Sequence, residues 1–285
     1  MMNENRLRLP WSSARILSRQ LSLIVLLPCL LVAGVRKQEA DRRTEPLQKE
    51  LLSRLASGDE EQRLDAIMRI GALWRNAPNS VDFPVITALG NALQQDPSPV
   101  VRALAARALE IGSGNQGSDS AIPTLTAALG KEREVAVRKA IIYALARYPQ
   151  PQVTTALIPF LKDKKTELRA AAAYALAENG DQTSAEALTE ALRRSGKDED
   201  AFARGQAARG LGRIGGRDSI DPLLDALARD KSQEVRREAA RALGRIATRQ
   251  DAKVIEALRA AALSNDPYLV IAADSAIASI NARDL

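Results

Sequence analysis

Residues Asp230–Ala247 read DKSQEVRREAARALGRIA. An acid is followed six residues later by an arginine, and alanines and a leucine then recur at the spacing of one helix face. A single helical hairpin cannot bury such an apolar stripe, so neighbouring copies must stack to cover it. The stretch therefore predicts a repeat architecture built from helices.

Seven copies of this pattern align, each as the second helix of a two-helix unit. The second helices read QRLDAIMRIG from Gln62, VRALAARALEIG from Val101, VRKAIIYALARY from Val137, LRAAAAYALAEN from Leu168, ARGQAARGLGRIG from Ala203, VRREAARALGRIA from Val235 and IAADSAIASIN from Ile271. Several first helices open near a proline, where the missing N–H costs nothing: Pro46, Pro84, Pro123 and Pro222. We expect an all-α solenoid of about seven two-helix repeats.

Acid and arginine recur together through the middle of the array. The arginine position holds Arg63, Arg102, Arg138, Arg169, Arg204 and Arg236, with Ala272 in the seventh repeat. Six residues earlier stand Ser57, Asp96, Glu132, Asp163, Asp198, Asp230 and Asp266. Five repeats carry both members, and only the two end repeats lack one. End repeats commonly depart from the pattern because one of their sides faces solvent.

These units resemble HEAT repeats, in particular the subclass found in phycobilisome-lyase-like proteins, whose second helix carries D-x-x-x-x-V-R-x-x-A-A-x-A-L-G-x-I-G. The resemblance covers roughly residues 45–282. It implies an α-solenoid in which acid and arginine side chains form a structural ladder between neighbouring repeats. The ladder would comprise Asp96, Glu132, Asp163, Asp198 and Asp230 with Arg102, Arg138, Arg169, Arg204 and Arg236.

The composition argues against several classes of enzyme and metalloprotein. The chain has no histidine, which removes the commonest metal ligand and the commonest general base. Its one cysteine, Cys29, leaves no internal disulfide and no thiolate cluster. We therefore nominate no catalytic residue, no cofactor and no metal site.

The net charge of +6 is divided between the N-terminal segment and the repeats. Residues 1–34 hold four arginines against Glu4, and residues 35–285 hold 37 basic and 34 acidic side chains. A domain that neutralises a row of phosphates usually has a larger and more clustered excess. This distribution argues against nucleic acid as a partner.

The N-terminal segment has the pattern of an export signal or an anchor. No charge occurs in residues 20–35, which would span about 24 Å as a helix against the roughly 30 Å of a bilayer core. A cleaved signal peptide and an uncleaved membrane anchor both fit, and lipidation at Cys29 is a third alternative. We predict a leader at 1–37, a linker at 38–44 and a helical solenoid at 45–285, in a protein exported or held at the membrane.

A basic surface with two tyrosines is expected on the second helices. Positions one, five and nine beyond the arginine position lie on one helix face, and second helices line the concave side of HEAT solenoids. Lys139 belongs to this face, and the candidate partner-binding residues are Tyr143, Arg147, Tyr174, Arg209, Arg213, Arg237, Arg241 and Arg245.

The leading hypothesis is a non-enzymatic scaffold that binds a protein partner on this concave surface. Two alternatives remain open. One is a phycobilin lyase or isomerase, as the subclass name suggests. The other is a nucleic-acid-binding repeat protein, which the small excess of positive charge argues against.

Overall fold

The computed structural model describes residues 46–76, 83–112, 118–194 and 200–283. The chain divides into two compact units, Met1–Glu50 and Leu51–Leu285. Within the first unit, only residues 46–50 are described, and they are helical. The predicted leader at 1–37 and the predicted linker at 38–44 lie outside the described residues.

In the described ranges every regular element is a helix, and fourteen α-helices follow one another in pairs. They are α1 (46–57), α2 (Glu60–Asn76), α3 (Phe83–Gln95), α4 (Pro99–Gly112), α5 (Ala121–Lys131), α6 (Val135–Leu145), α7 (Pro151–Leu157), α8 (Thr166–Asn179), α9 (Ala185–Arg193), α10 (Ala201–Ile214), α11 (Ile220–Arg229), α12 (Gln233–Ile246), α13 (Ala252–Ala261) and α14 (Pro267–Ala282). Odd-numbered helices are the first helices of the repeats and even-numbered helices are the second. The predicted all-α solenoid of seven two-helix repeats is confirmed.

The helices of Leu51–Leu285 form two layers. Each second helix packs closely against the second helices before and after it, whereas successive first helices touch one another much less. Because the second helices are the more tightly spaced, their layer forms the inner side of the curve and the first helices form the outer side.

Helix α12 illustrates why the sequence folds in this way. Its buried positions, which include Val235, Ala239 and Leu243, recur at three- and four-residue spacing and form one apolar face. Its arginines and glutamates occupy the remaining surface. The small alanines on the buried face allow the neighbouring second helices to approach closely.

Two glycines mark the closest approach between second helices. A Cβ atom placed on Gly212 would lie 2.7 Å from the Cα atom of Ala242, and one placed on Gly244 would lie 2.6 Å from the Cα atom of Ala276. Real Cβ atoms do not come so close to a neighbouring backbone. Glycine at these positions therefore lets α12 contact both α10 and α14 backbone to backbone.

Side chains of the following repeat cap the C-terminal ends of several second helices. The Tyr148 hydroxyl donates to the Leu109 carbonyl at 3.0 Å, and the Asn179 amide donates to the Leu145 carbonyl at 3.2 Å. Arg213 donates to the Ala177 carbonyl at 2.8 Å. Carbonyls at a helix C-terminus have no partner within the helix, and the helix dipole favours a cation there. These contacts tie consecutive repeats together at one edge.

Two further features of the described residues concern membrane and metal binding. Within those residues, no helix is long and apolar enough to cross a membrane. The same residues contain no group of three or more Cys, Asp or Glu side chains that could hold a metal ion.

Candidate binding surface

A row of arginines links each second helix to the following repeat, close to the N-terminal ends of the second helices. In one such pair, Nε and Nη2 of Arg204 donate to the two carboxylate oxygens of Asp230 at 2.7 and 2.9 Å. The other pairs are Arg63–Asp96, Arg102–Glu132, Arg138–Asp163, Arg169–Asp200 and Arg237–Asp266. We call these six pairs the ladder. They connect all seven described repeats.

The six-residue spacing seen in the sequence reflects a second contact, which lies within one repeat. Nη1 of Arg102 donates to the backbone carbonyl of Asp96, six residues earlier, at 2.9 Å. Most ladder acids also close the turn before their second helix, as where Asp230 accepts the Ser232 amide at 2.8 Å. Arg102 and Asp230 thus each stabilise a turn of their own repeat and also join two repeats.

The ladder departs from the expected residues at two places. Arg236 donates to the Asp230 carbonyl of its own repeat, and its neighbour Arg237 binds Asp266 of the next repeat. The six-residue spacing reflects the hydrogen bond from an arginine to a backbone carbonyl of its own repeat. Which arginine reaches the acid of the next repeat depends instead on the orientation of the helix about its axis. The predicted member Asp198 lies outside the described residues, and Arg169 binds Asp200.

Burial distinguishes the ladder from ordinary surface ion pairs. The side chains of Arg204 and Asp230 are only 5% and 9% exposed. Burial alone would raise the pKa of Glu132, but hydrogen bonds from Arg102 and from two backbone amides outweigh it and lower that pKa. Buried pairs of this kind hold a fold together only while both partners are present. The burial and hydrogen bonding of the ladder pairs indicate that they stabilise the contacts between repeats.

The two predicted tyrosines meet on the inner surface between α6 and α8. The rings of Tyr143 and Tyr174 pack edge to face, with centroids 5.6 Å apart and an interplanar angle of 75°. Both side chains and Lys139 are half-buried, and Arg147 is exposed. The pair therefore serves packing between repeats and also leaves part of each ring open to solvent.

Four exposed or half-exposed arginines follow on α10 and α12. We call Arg209, Arg213, Arg241 and Arg245 the arginine strip. Glu178 on α8 accepts hydrogen bonds from both Arg209 and Arg213. Glu238 accepts from Arg241. No carboxylate partner of Arg245 occurs among the described residues.

Arg237, which we expected to face a partner, lies in the ladder instead. Its side chain is only 18% exposed, and its guanidinium group stacks over the Tyr268 ring at 4.8 Å from the centroid. The group is engaged on two sides by Asp266 and Tyr268. It is therefore not available as an open contact.

Sequence reasoning missed an acidic residue on the second helix α4. Glu110 stands eight residues beyond the arginine position, where five of the other repeats carry glycine or alanine: Gly71, Ala146, Ala177, Gly212 and Gly244. Burial raises the pKa of Glu110. The break in an otherwise small-residue column was a signal that an alignment of the repeats could have detected.

Two open grooves lie between successive first helices, beside the ladder. One has a volume of about 530 Å³ and the other about 500 Å³, and they share Gln95 and Asp96. Arg102 lines the first groove and Arg63 the second. The first groove is lined by both the positive Lys131 and the negative Glu132, so its charge favours neither an anionic nor a cationic ligand.

A sequence profile of HEAT repeats matches residues 86–177, 131–200 and 195–278, which together make up more than half of the chain. The chain belongs to the HEAT-repeat family. The matches include the ladder from Asp96 to Asp266 and the whole arginine strip, so these surfaces are built on HEAT repeats.

Solved structures show a similar fold. The complex of CpcE and CpcF of phycocyanin lyase from Nostoc sp. PCC7120 matches at 24% identity over 66% of this chain and 74% of that chain, with a TM-score of 0.52. An engineered protein matches at 23% identity over 82% of this chain and 68% of that one, with a TM-score of 0.54. A search of curated protein sequences finds no match. At these identities the two structures show that the chain shares their fold.

Proposed function

We propose that this HEAT-repeat protein is a non-enzymatic scaffold that binds a protein partner on its inner surface. The observation that carries the proposal is the array of exposed or half-exposed tyrosines and arginines along α6, α8, α10 and α12. Tyrosine and arginine are the residue types enriched at the energetic centres of protein interfaces. A protein segment lying along the inner surface would contact several repeats at once.

The arginines differ in how well they suit this role. Ladder arginines are held by buried carboxylates, so they are committed to the fold. Those of the strip are more exposed: Arg213 and Arg241 have 45% and 42% of their side chains accessible. Exposed ion pairs are weak, and their members can exchange partners at little cost. The strip and the two tyrosines therefore form the better binding surface.

The proposed location is outside the cytoplasm or at the membrane, through the uncharged segment 20–35. This part of the proposal rests on the sequence pattern alone. Deletion of residues 1–37 should move the protein from the envelope fraction to the soluble cytoplasmic fraction. An unchanged distribution would contradict the assignment.

Site-specific photocrosslinking in cells tests the binding role. A benzophenone amino acid placed at Tyr174 should capture a discrete protein partner, and the same group at Lys162, on the outer layer, should not. Changing Arg209, Arg241 and Arg245 together to glutamate should abolish the Tyr174 adduct. Adducts that form only from Lys162 would place the binding surface on the outer layer and refute the proposal.

A further inference from the structure

The arginine strip places like charges close together, and only Arg213 among its members also caps a neighbouring helix, through the Ala177 carbonyl. Arg209 and Arg213 are four residues apart on α10, and Arg241 and Arg245 are four residues apart on α12. Like charges at this spacing destabilise a helix. The backbone contact at Gly212 and Ala242 then brings the two helices close together. The fold thus concentrates positive charge on the inner surface.

The strip lacks enough carboxylates of its own to neutralise it. One carboxylate, that of Glu178, serves both Arg209 and Arg213, with an Nη1–Oε2 distance of 3.5 Å to the latter. Glu238 serves Arg241. Among the described residues, these four guanidinium groups contact two carboxylates, so the strip carries two more positive charges than the carboxylates that it contacts.

The contacts of Glu178 are of the kind that another carboxylate can replace. Its side chain is 29% exposed, and Arg209 is 32% exposed. By contrast, the ladder acid Asp230 is 9% exposed and also closes a turn. If Arg209 and Arg213 release Glu178, no turn is broken and no core residue is exposed. A carboxylate from a partner can therefore replace that of Glu178.

We propose that the partner presents an extended acidic segment to the arginine strip, and that Glu178 competes with this segment for Arg209 and Arg213. The inference rests on the proposed function, because it assigns a chemistry and a control element to the same surface. Glu178 keeps the two guanidinium groups in place when no partner is bound. Because Glu178 competes for these arginines, a segment with few acidic residues should bind more weakly than a segment with many.

The surroundings of the strip favour an acidic peptide over other polyanions. Two uncompensated charges match a few carboxylates, whereas binding to a nucleic acid usually neutralises six to ten phosphates, to judge by its salt dependence. The inner side of a curved layer is also less accessible to a flat membrane than the outer side. Tyr174, which lies on the same inner surface, supplies an aromatic contact that a peptide side chain can use.

Fluorescence anisotropy with a labelled decaglutamate peptide tests the inference on the full-length protein in a neutral detergent. Decaglutamate should bind and decaglutamine should not, and binding should weaken as salt shortens the screening length below about 10 Å. Arg241→Gln with Arg245→Gln should weaken binding about ten-fold. Glu178→Gln should tighten it about three-fold, because the competitor is gone.

Two matched variants separate local competition from a general change in charge. Glu190→Gln also removes a carboxylate from an ion pair between repeats, with Lys162 at 2.7 Å, but on the outer layer. Arg229→Gln removes an exposed outer arginine that pairs with Asp225. Both should leave the affinity for decaglutamate unchanged. Thermal unfolding followed by circular dichroism verifies that each variant is folded.

Four outcomes would overturn the inference. Equal affinities for Glu178→Gln and Glu190→Gln would refute competition by Glu178. Binding to phosphatidylserine vesicles without binding to decaglutamate would make the strip a lipid site, and binding to a single-stranded oligonucleotide alone would make it a nucleic-acid site. If the Tyr174 crosslink persists while decaglutamate fails to bind, the scaffold role survives and the acidic partner does not.

Discussion

On helix α10, Arg204 and Arg209 lie five residues apart and meet different surroundings. The Arg204 side chain is 5% exposed, and a fork of two hydrogen bonds holds it on Asp230 of the next repeat. The Arg209 side chain is 32% exposed and shares Glu178 with Arg213. The ladder and the strip therefore both use an arginine of α10, but the ladder arginine is buried and the strip arginine is partly exposed.

This difference indicates that burial, rather than residue type, separates the structural arginines of the ladder from the arginines that we propose bind a partner. A buried pair leaves a large penalty when one partner is lost, because the other charge remains desolvated. An exposed pair leaves almost none, because water and other ions replace the missing partner. Mutations in the two regions should accordingly differ in their effect on the free energy of unfolding.

The largest effect is expected for Asp230→Ala, which removes the carboxylate from the most buried ladder pair. We expect the free energy of unfolding to fall by about 3 kcal/mol, because Arg204 is left charged and buried and the turn at Ser232 loses its acceptor. Urea denaturation followed by circular dichroism measures this. Asp225→Ala, in an exposed pair on the outer layer, serves as control. A similar loss in both variants would remove the distinction between ladder and surface.

A smaller effect is expected for Arg204→Lys, which keeps the charge of the ladder pair but removes the fork. A lysine cannot donate to both Asp230 oxygens with planar geometry, so we expect a loss of about 1.5 kcal/mol in the same denaturation experiment. Arg229→Lys on the outer layer should change nothing measurable. If the lysine variant were as stable as the parent, charge alone would account for the ladder.

The Glu110→Gln variant tests an acid that has no buried arginine partner. Burial raises the folded-state pKa of Glu110, so its ionised form destabilises the fold at neutral pH. We expect the variant to gain up to about 0.5 kcal/mol at pH 7. The gain should disappear as the pH falls below about 4, where the carboxyl is protonated in both folded and unfolded states. Denaturation at several pH values tests the sign. A loss of stability at pH 7 would show that Glu110 is paired in the fold.

The smallest effect is expected for Arg241→Ala in the strip. This arginine pairs with Glu238 three residues earlier, and its side chain is 42% exposed. We expect a change in the free energy of unfolding of about 0.3 kcal/mol or less. A loss close to that of Asp230→Ala would mean that the strip stabilises the fold, and the case for a binding role would weaken.

Most of the fold was predictable because its determinants lie within single helices. The alanine and leucine spacing of Asp230–Ala247 defined a helix face, and its repetition defined the stack. The assignment of the site was less complete. Tyr143 and Tyr174 were identified, and the structure brings them into contact. The role of Glu178 was not predicted, since sequence spacing cannot reveal that one carboxylate binds two arginines of another helix.

The sequence by itself determined that this chain is a solenoid of two-helix repeats and that acid and arginine recur along it. Only the tertiary structure decided that Arg237, not Arg236, binds Asp266, and that Asp200 completes the pair with Arg169. The physical reason is that periodicity along a helix is fixed by backbone geometry. The partner across a repeat boundary depends instead on how closely neighbouring helices pack. Around α12, Gly212 and Gly244 permit this close packing.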